Sequence, residues 1–356
     1  MESLLPINKK SGRTPRGGGA RPGARRGGQR ANCLVVFLNT LLNRTSLINL
    51  SKKIVHHLLA RWIVAFYSHF MKKVGVIINP KRAQAKDTIQ QLADAARRYD
   101  WQLFCEQSDI ATELGCVALD VEAFADEVEL VLAMGGDGTV LYAARALLGS
   151  SVPVLGINLG RLGFLTAVAE EELVKALDQV AGGGFELLER EAAMTKLKKV
   201  DGTTVERPAL NDVVMSWGGS SRIVQLGLKV DEEQVGQFSC DGIIISTPTG
   251  STGHALSNGG PILHPAIHGF GISVICPHTL SSRPMVVPNR SRIEVEVVRC
   301  HKALLLSVDG QDCATVEEGD RLELVRYPKP LQMVQLPGHS YFQTLAQKLG
   351  WQGSVV

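Results

Sequence analysis

Val128-Glu129-Leu130-Val131-Leu132-Ala133-Met134-Gly135-Gly136-Asp137-Gly138-Thr139 decides the reading of this chain. Residues 128–134 are apolar apart from Glu129 and rich in branched side chains, the texture of a short buried strand. Beyond Thr139, Val140, Leu141, Ala144, Leu147 and Leu148 recur at helical spacing, and Gly149 stands where the helix should stop. The stretch therefore reads as strand, glycine turn, helix. A turn that opens a helix presents free backbone N–H groups and partial positive charge, and so suits phosphate. Gly135, Gly136 and Gly138 are expected to let the backbone come close and to take positive φ. Asp137 is the unexpected member, because a phosphate cradle has no use for an idle negative charge. Beside a bound polyphosphate it could accept the proton of an attacking hydroxyl; the competing reading is ordinary Asp-Gly turn chemistry.

Outward from this turn, 74–78 reads as a buried strand, 88–99 as an amphipathic helix, 101–105 as a second strand and 152–157 as a fourth. Strands alternating with helices imply an open, doubly wound parallel sheet whose ligand sits at the carboxyl ends of its strands. The 158–165 segment is a second glycine-bearing turn at such an end, and 170–180 a further helix. From about residue 186 the texture changes to strands at 192–200, 203–217, 222–230, 235–239, 243–246, 272–276, 292–298, 303–308 and 321–326. Asp201-Gly202, Asp241-Gly242 and Asp309-Gly310 supply the turns between them. The pattern predicts an α/β N-terminal domain with an open parallel sheet (71–185), a β-rich C-terminal domain (186–335), and a C-terminal helix and tail (336–356) returning to the first domain.

The chain has 356 residues and a net charge of +3, but the charge is divided unevenly. Residues 1–70 carry 12 Lys/Arg and one acid; the rest carries 26 Lys/Arg against 34 acids. The head is Gly/Arg/Pro-rich at 11–30 and cannot build a core there. It reads as an extension without a role in the fold, with a nucleic-acid-touching tail and a targeting segment as alternatives. The 11–30 stretch offers no aromatics among its basic residues, which speaks against nucleic acid. No apolar run reaches the length of a membrane span. Seven cysteines without C-x-x-C spacing argue against a disulfide framework and a zinc site, and for a reducing, cytoplasmic setting.

Two further stretches carry chemistry. Ser246-Thr247-Pro248-Thr249-Gly250-Ser251-Thr252-Gly253 follows an apolar strand and offers five hydroxyls, suited to sugar and phosphate oxygens. Asn211-Asp212 lies between apolar stretches; Asn can read an adenine edge and Asp can hold a ribose diol. His264 and His268 have no third ligand, so no metal site is expected. The Walker lysine motif is absent, and no G-x-G-x-x-G follows the first strand.

Together these stretches resemble the NAD kinase family, of the GGDGT type that draws phosphate from ATP or polyphosphate. The marks are Gly135-Gly136-Asp137-Gly138-Thr139, Asn211-Asp212, the run from Asp241 to Gly259-Gly260-Pro261-Ile262-Leu263, and the tail at 340–351. The resemblance covers 72 to about 351. It implies phosphoryl transfer to the 2′-hydroxyl of the adenosine ribose of NAD, with Asp137 as proton acceptor. Gly135, Gly136, Gly138 and Thr139 would hold phosphate. Gly138, Asn211, Asp212, Arg222, Ser239, Asp241, Thr252, Gly253, His254, Ala255, Leu256, Ser257 and Gln311 would line the dinucleotide. The resemblance also implies a divalent cation such as Mg²⁺ on the donor, and a homodimer or homotetramer. Asp212 replaces the family's usual Glu, and Gly253-His254 its frequent Ala-Tyr. A lipid or sugar kinase with the same turn, and a sensor that binds NAD without reacting, are the alternative functions.

Overall fold

The computed structural model describes residues 71–79, 85–106, 109–160, 163–217 and 223–351. The readings made for the 1–70 head and for Arg222 lie outside the described residues. In chain order the first part runs β1 (Lys73–Ile78), α1 (Ala85–Tyr99), β2 (Gln102–Cys105), α2 (Asp109–Leu114), β3 (Val117–Ala118), α3 (Phe124–Glu127), β4 (Leu130–Gly135), α4 (Asp137–Leu147), β5 (Val154–Asn158), β6 (Val168–Ala169), α5 (Leu173–Ala181) and β7 (Glu186–Arg190). The second part runs β8 (Ala193–Lys198), β9 (Thr204–Ala209), β10 (Asp212–Trp217), β11 (Val224–Val230), β12 (Glu233–Cys240), β13 (Gly242–Ser246), α6 (His254–Ser257) and β14 (Gly269–Ile275), then β15 (Met285–Pro288), β16 (Ile293–Arg299), β17 (Leu304–Val308), β18 (Gln311–Val316) and β19 (Arg321–Arg326). The chain closes with β20 (Leu331–Gln335) and α7 (Tyr341–Leu349).

The first sheet has the order β3-β2-β1-β4-β5-β20-β7, with β6 attached to β5. β1 to β5 run parallel, as alternating strands and helices demand. β4 at its centre shows why the run at 128–134 is nearly unbroken. Leu130, Leu132 and Met134 face the core built with α1, α2 and α5, while Val131 and Ala133 face α4; all five are fully buried. A strand covered on both faces has no polar side, and each buried Leu contributes about 1.5–3 kcal/mol. Glu129, the one interruption, takes the N–H groups of Lys72 (2.6 Å) and Lys73 (2.9 Å) at the mouth of β1.

The second part is a sandwich of two six-stranded antiparallel sheets, β15-β14-β13-β10-β17-β18 and β12-β11-β16-β19-β8-β9. One shared core fills it, with Val213, Met215, Ile243 and Ile245 from one sheet and Leu226, Leu228, Val295 and Val297 from the other. The alternation at Ile293-Glu294-Val295-Glu296-Val297 is the inward–outward pattern of β16.

Three expectations change. β7 and β20, placed by sequence in the β-rich domain, pair with each other in the first sheet, where β20 also runs parallel to β5. The return to the first part therefore begins with a strand at 331, before the helix, and the boundaries at 185/186 and 335/336 cut through that sheet. The expected strand at 203–217 breaks into β9 and β10 at Leu210-Asn211. The loop after Ser246 is not irregular throughout, since a 3₁₀ turn at Gly250–Thr252 and α6 follow.

Candidate functional site

Gly135 ends β4, Gly136 caps α4 with extended backbone (φ −143°, ψ −169°), and Asp137 is the first helical residue. None of Gly135, Gly136 and Gly138 has positive φ, contrary to the sequence expectation. What the turn demands at Gly135 is space: an added Cβ would lie 2.2 Å from Thr139 Oγ1. Thr139 itself is buried against this point, so its hydroxyl supports the turn from below. Gly138 is exposed, and a Cβ there would meet nothing within 4 Å. A glycine inside a helix costs about 1 kcal/mol relative to Ala. Nothing within the described protein requires that cost at Gly138; a ligand pressed close to the backbone would.

Asp137 is clasped by the second glycine turn. Its Oδ2 accepts the N–H of Phe164 and its Oδ1 that of Leu165, both at 2.9 Å. A Cβ on Gly163 would fall 1.9 Å from Asp137 Oδ1. The clasp thus fixes the carboxylate, and Gly163 is the residue that makes room for it. Each carboxylate oxygen keeps a second lone-pair direction for another donor. Sequence placed the two turns at neighbouring strand ends; the clasp between them was not readable from either.

The break at Leu210-Asn211 is where the sandwich meets α4. Leu210 turns out of the sandwich and packs in the cluster of Val140, Ala143 and Leu165. The backbone it leaves unpaired is satisfied by two side chains. Asp309 takes the N–H groups of Leu210 (2.9 Å), Asn211 (2.7 Å) and Asp212 (3.2 Å). Thr247 donates its hydroxyl to Leu210 O (2.5 Å) and its N–H to Asn211 O (2.8 Å). Sequence identified Asp309 only as a turn residue. Its φ of 50° suits that role, but the clamp on residues almost a hundred positions away left no local signal.

Asp212 is buried, and its carboxylate accepts the N–H of His254. Burial first, and the charge of Asp309 second, push its pKa up to about 6. Burial also raises Asp309, against the pull of its three N–H donors and of Arg145. Arg145 leaves α4 to bond the side chain of Gln311, tying the helix of the first turn to β18. So Asp137, Asn211, Asp212, Gly253, His254 and Gln311 surround the junction of α4 with the sandwich. The Asn211 Oδ1 and Thr249 Oγ1 atoms there are buried without a partner.

The hydroxyl-rich loop is spent mostly on itself. Thr247 and Ser251 are buried; Ser251 bonds Pro248 O (2.7 Å) and Leu263 N (2.9 Å), and Thr252 bonds Thr249 O (3.3 Å). Gly250 lies so close to Asn211 that a Cβ would stand 2.0 Å from its carbonyl oxygen. These residues build a platform under 253–257. Ala255 anchors it in a small cluster with Val214 and Ile244, while His254 and Ser257 stay exposed and Leu256 is half-buried.

Ser239 and Asp241 do not join this group. In the β10–β13 register, Asp212 lies opposite Ser246, and Ser216 opposite Gly242. Asp241 therefore sits at the other end of the pair, about 13 Å or more along the strands at about 3.3 Å per residue. There it bonds Ile275 O through its N–H, and Cys276 through its carboxylate.

A family model described as the ATP-NAD kinase N-terminal domain matches residues 34–185, and one described as the ATP-NAD kinase C-terminal domain matches 210–336. The first match begins inside the basic head, so the likeness reaches further back than residue 72. The NAD kinase of Gemmatimonas aurantiaca is 37% identical over 286 residues, 79% of this chain and 96% of that protein. That of Acinetobacter baylyi is 35% identical over 282 residues, 79% of this chain and 92% of that protein. In fold, the chain resembles yeast NADH kinase complexed with NADH (TM-score 0.73, 23% identity, 80% of this chain and 89% of that one). It also resembles an NAD kinase from Archaeoglobus fulgidus in complex with ATP (TM-score 0.62, 23% identity, 80% and 100%). The α/β domain with its Gly-Gly-Asp-Gly-Thr turn, joined to an antiparallel sandwich, is that of a phosphotransferase. Within that class, the chain belongs to the NAD kinase family.

Proposed function

We propose that this chain phosphorylates the 2′-hydroxyl of the adenosine ribose of NAD to give NADP, with ATP as donor and Asp137 as proton acceptor. The observation that carries the reading is the clasp on Asp137, beside the α4–sandwich junction where Asn211 and Asp212 meet. Phosphoryl transfer needs alignment and charge neutralisation more than covalent help. The first-turn N–H groups of α4 and the open face at Gly138 receive phosphate. Asn211, with a buried and unpartnered Oδ1, takes an adenine amino group, and Asp212 the ribose. Asp137, held by two amides, aligns the 2′-oxygen and takes its proton.

Among the described residues no three His, Cys, Asp or Glu side chains converge to hold a metal. A divalent cation such as Mg²⁺ on the donor would supply charge neutralisation at its phosphates; polyphosphate is an alternative donor. No helix of the described residues is long and apolar enough to cross a membrane. The 239–241 end, at the far end of the β10–β13 pair, serves the adenosine end of a dinucleotide if a second copy of the chain supplies it, which makes a homo-oligomer part of the reading.

The test is NADP formation by the full chain from NAD and Mg-ATP, with Asp137→Asn alongside. NAD binding without NADP formation in the unaltered chain would leave a sensor. Diacylglycerol accepted in place of NAD would leave a lipid kinase.

A further inference from the structure

Arg190 closes β7, opposite Leu331 in the first sheet. Among the described residues its side chain forms no hydrogen bond or ion pair, and its Nε is buried without an acceptor. It borders a cavity of about 50 Å³ between the sheet, the 164–167 loop and the first turn of α7. The walls also carry Thr166, Gln335, His339, Tyr341 and Thr344, and no carboxylate. Arg190 as a whole is half-buried, but an N–H donor shut off from water without an acceptor is a costly group for a fold to keep. Burial pulls the Arg190 guanidinium below the ordinary arginine range, against a smaller opposing pull from Tyr341. The neighbouring polar groups turn elsewhere. Tyr341 bonds Leu263 O, Thr344 bonds Ser340 O and Gln335 bonds His339 O.

We propose that this cavity binds a free phosphate-type oxyanion, with the Arg190 guanidinium as its ligand. The space is a few times the about 10–15 Å³ that one water needs, and far below the about 300 Å³ of the smallest ligand pockets. A small ion fits; a whole nucleotide does not. The site is separate from the kinase centre but shares a wall with it. Phe164 and Leu165 border the cavity, and their N–H groups hold Asp137. A bound ion would tie β7, α7 and that wall together.

The experiment is thermal unfolding of the full chain in potassium phosphate against potassium chloride of equal ionic strength, with saturating NAD to occupy the kinase centre. The expected result is a melting temperature that rises with phosphate in the unaltered chain. The rise is lost in Arg190→Gln and partly kept in Arg190→Lys. A rise of the same size in Arg190→Gln overturns the proposal. Should Arg190→Gln fail to fold, crystals of the unaltered chain soaked in selenate give a second reading. An anomalous peak within hydrogen-bond reach of the guanidinium supports the site; its absence, or a carboxylate from 352–356 in its place, overturns it. A rise with ATP but not with phosphate, lost in Arg190→Gln, overturns the free ion as the source. None of these outcomes depends on whether NADP is formed.

Discussion

Asp309 Oδ1 accepts the N–H of Asn211 at 2.7 Å, so a turn at the tip of β17 fixes the residue proposed to read adenine. The same carboxylate holds Leu210 and Asp212. Asp309→Ala would take this acceptor from the N–H groups of Leu210, Asn211 and Asp212 and put at φ 50° a residue without the short polar side chain that lets Asp tolerate it. We expect a loss of about 2–4 kcal/mol of stability in urea unfolding, with weaker NAD binding. Asp309→Asn keeps one carbonyl oxygen and tolerates positive φ, so about half that loss is expected. An Ala variant as stable as the parent would show that the clamp is not needed.

Asp212 and Asp309 set up a pH dependence whose sign is fixed. The folded pKa of Asp212, about 6, lies above its ordinary 3.8. Between these values the folded chain binds more protons than the unfolded chain, so this group's contribution is greatest below about pH 4. It is lost as pH rises through about 6. Asp212→Asn should therefore raise stability at pH 8, by at most about 2–3 kcal/mol, with the gain fading towards pH 4. The same variant should bind NAD less well. In the parent, NAD affinity should weaken as pH falls through about 6, where the ribose-holding carboxylate gains its proton. A pH-independent affinity between 5 and 8 would remove Asp212 from the binding step.

Asp137→Asn should lower turnover by about 10²–10⁴-fold while leaving NAD affinity within a few-fold. Its companion is Gly163→Ala, which leaves every acid in place. The added methyl needs the space now filled by Asp137 Oδ1, 1.9 Å away, so the clasp must open. We expect turnover to fall at least about tenfold, because a displacement of about 1 Å near the chemistry can cost about 10²-fold. Circular dichroism and NAD binding should stay close to the parent. Full activity in Gly163→Ala would show that the clasp does not position the proton acceptor.

How much of this was legible in sequence can be read residue by residue. The 128–139 stretch announced its own strand, turn and helix because both faces of β4 are buried and the turn chemistry is local. Asn211-Asp212 and the 241–263 run stand out as motifs, but two hydroxyls of that run serve the fold itself. Thr247 and Ser251 looked free for a ligand, and the fold uses them to satisfy its own backbone. What stayed hidden was non-local. β7 and β20 pair across nearly 150 residues, and neither 186–190 nor 331–335 states which sheet it joins. Asp309 looked like a turn because the three amides it serves are remote in sequence. The positive φ expected at Gly135–Gly138 failed because close approach, not backbone handedness, is what Gly135 provides.

The separation of Asp241 from Asp212 gives the last prediction. Both were expected on one dinucleotide, yet they lie at opposite ends of the β10–β13 pair. If the 239–241 end that completes an NAD site comes from a second copy, each site is shared. Asp137→Asn and Asp241→Ala would each inactivate a different half of the same composite site. Mixed by co-unfolding and reassembly, the two inactive variants should regain turnover, since some composite sites would draw an intact half from each chain. Size-exclusion chromatography with light scattering should show at least a dimer for the parent. A monomer that retains full activity, or a mixture that stays inactive while reassembling normally, would assign Asp241 a role within its own sheet corner, where it already holds Ile275 and Cys276.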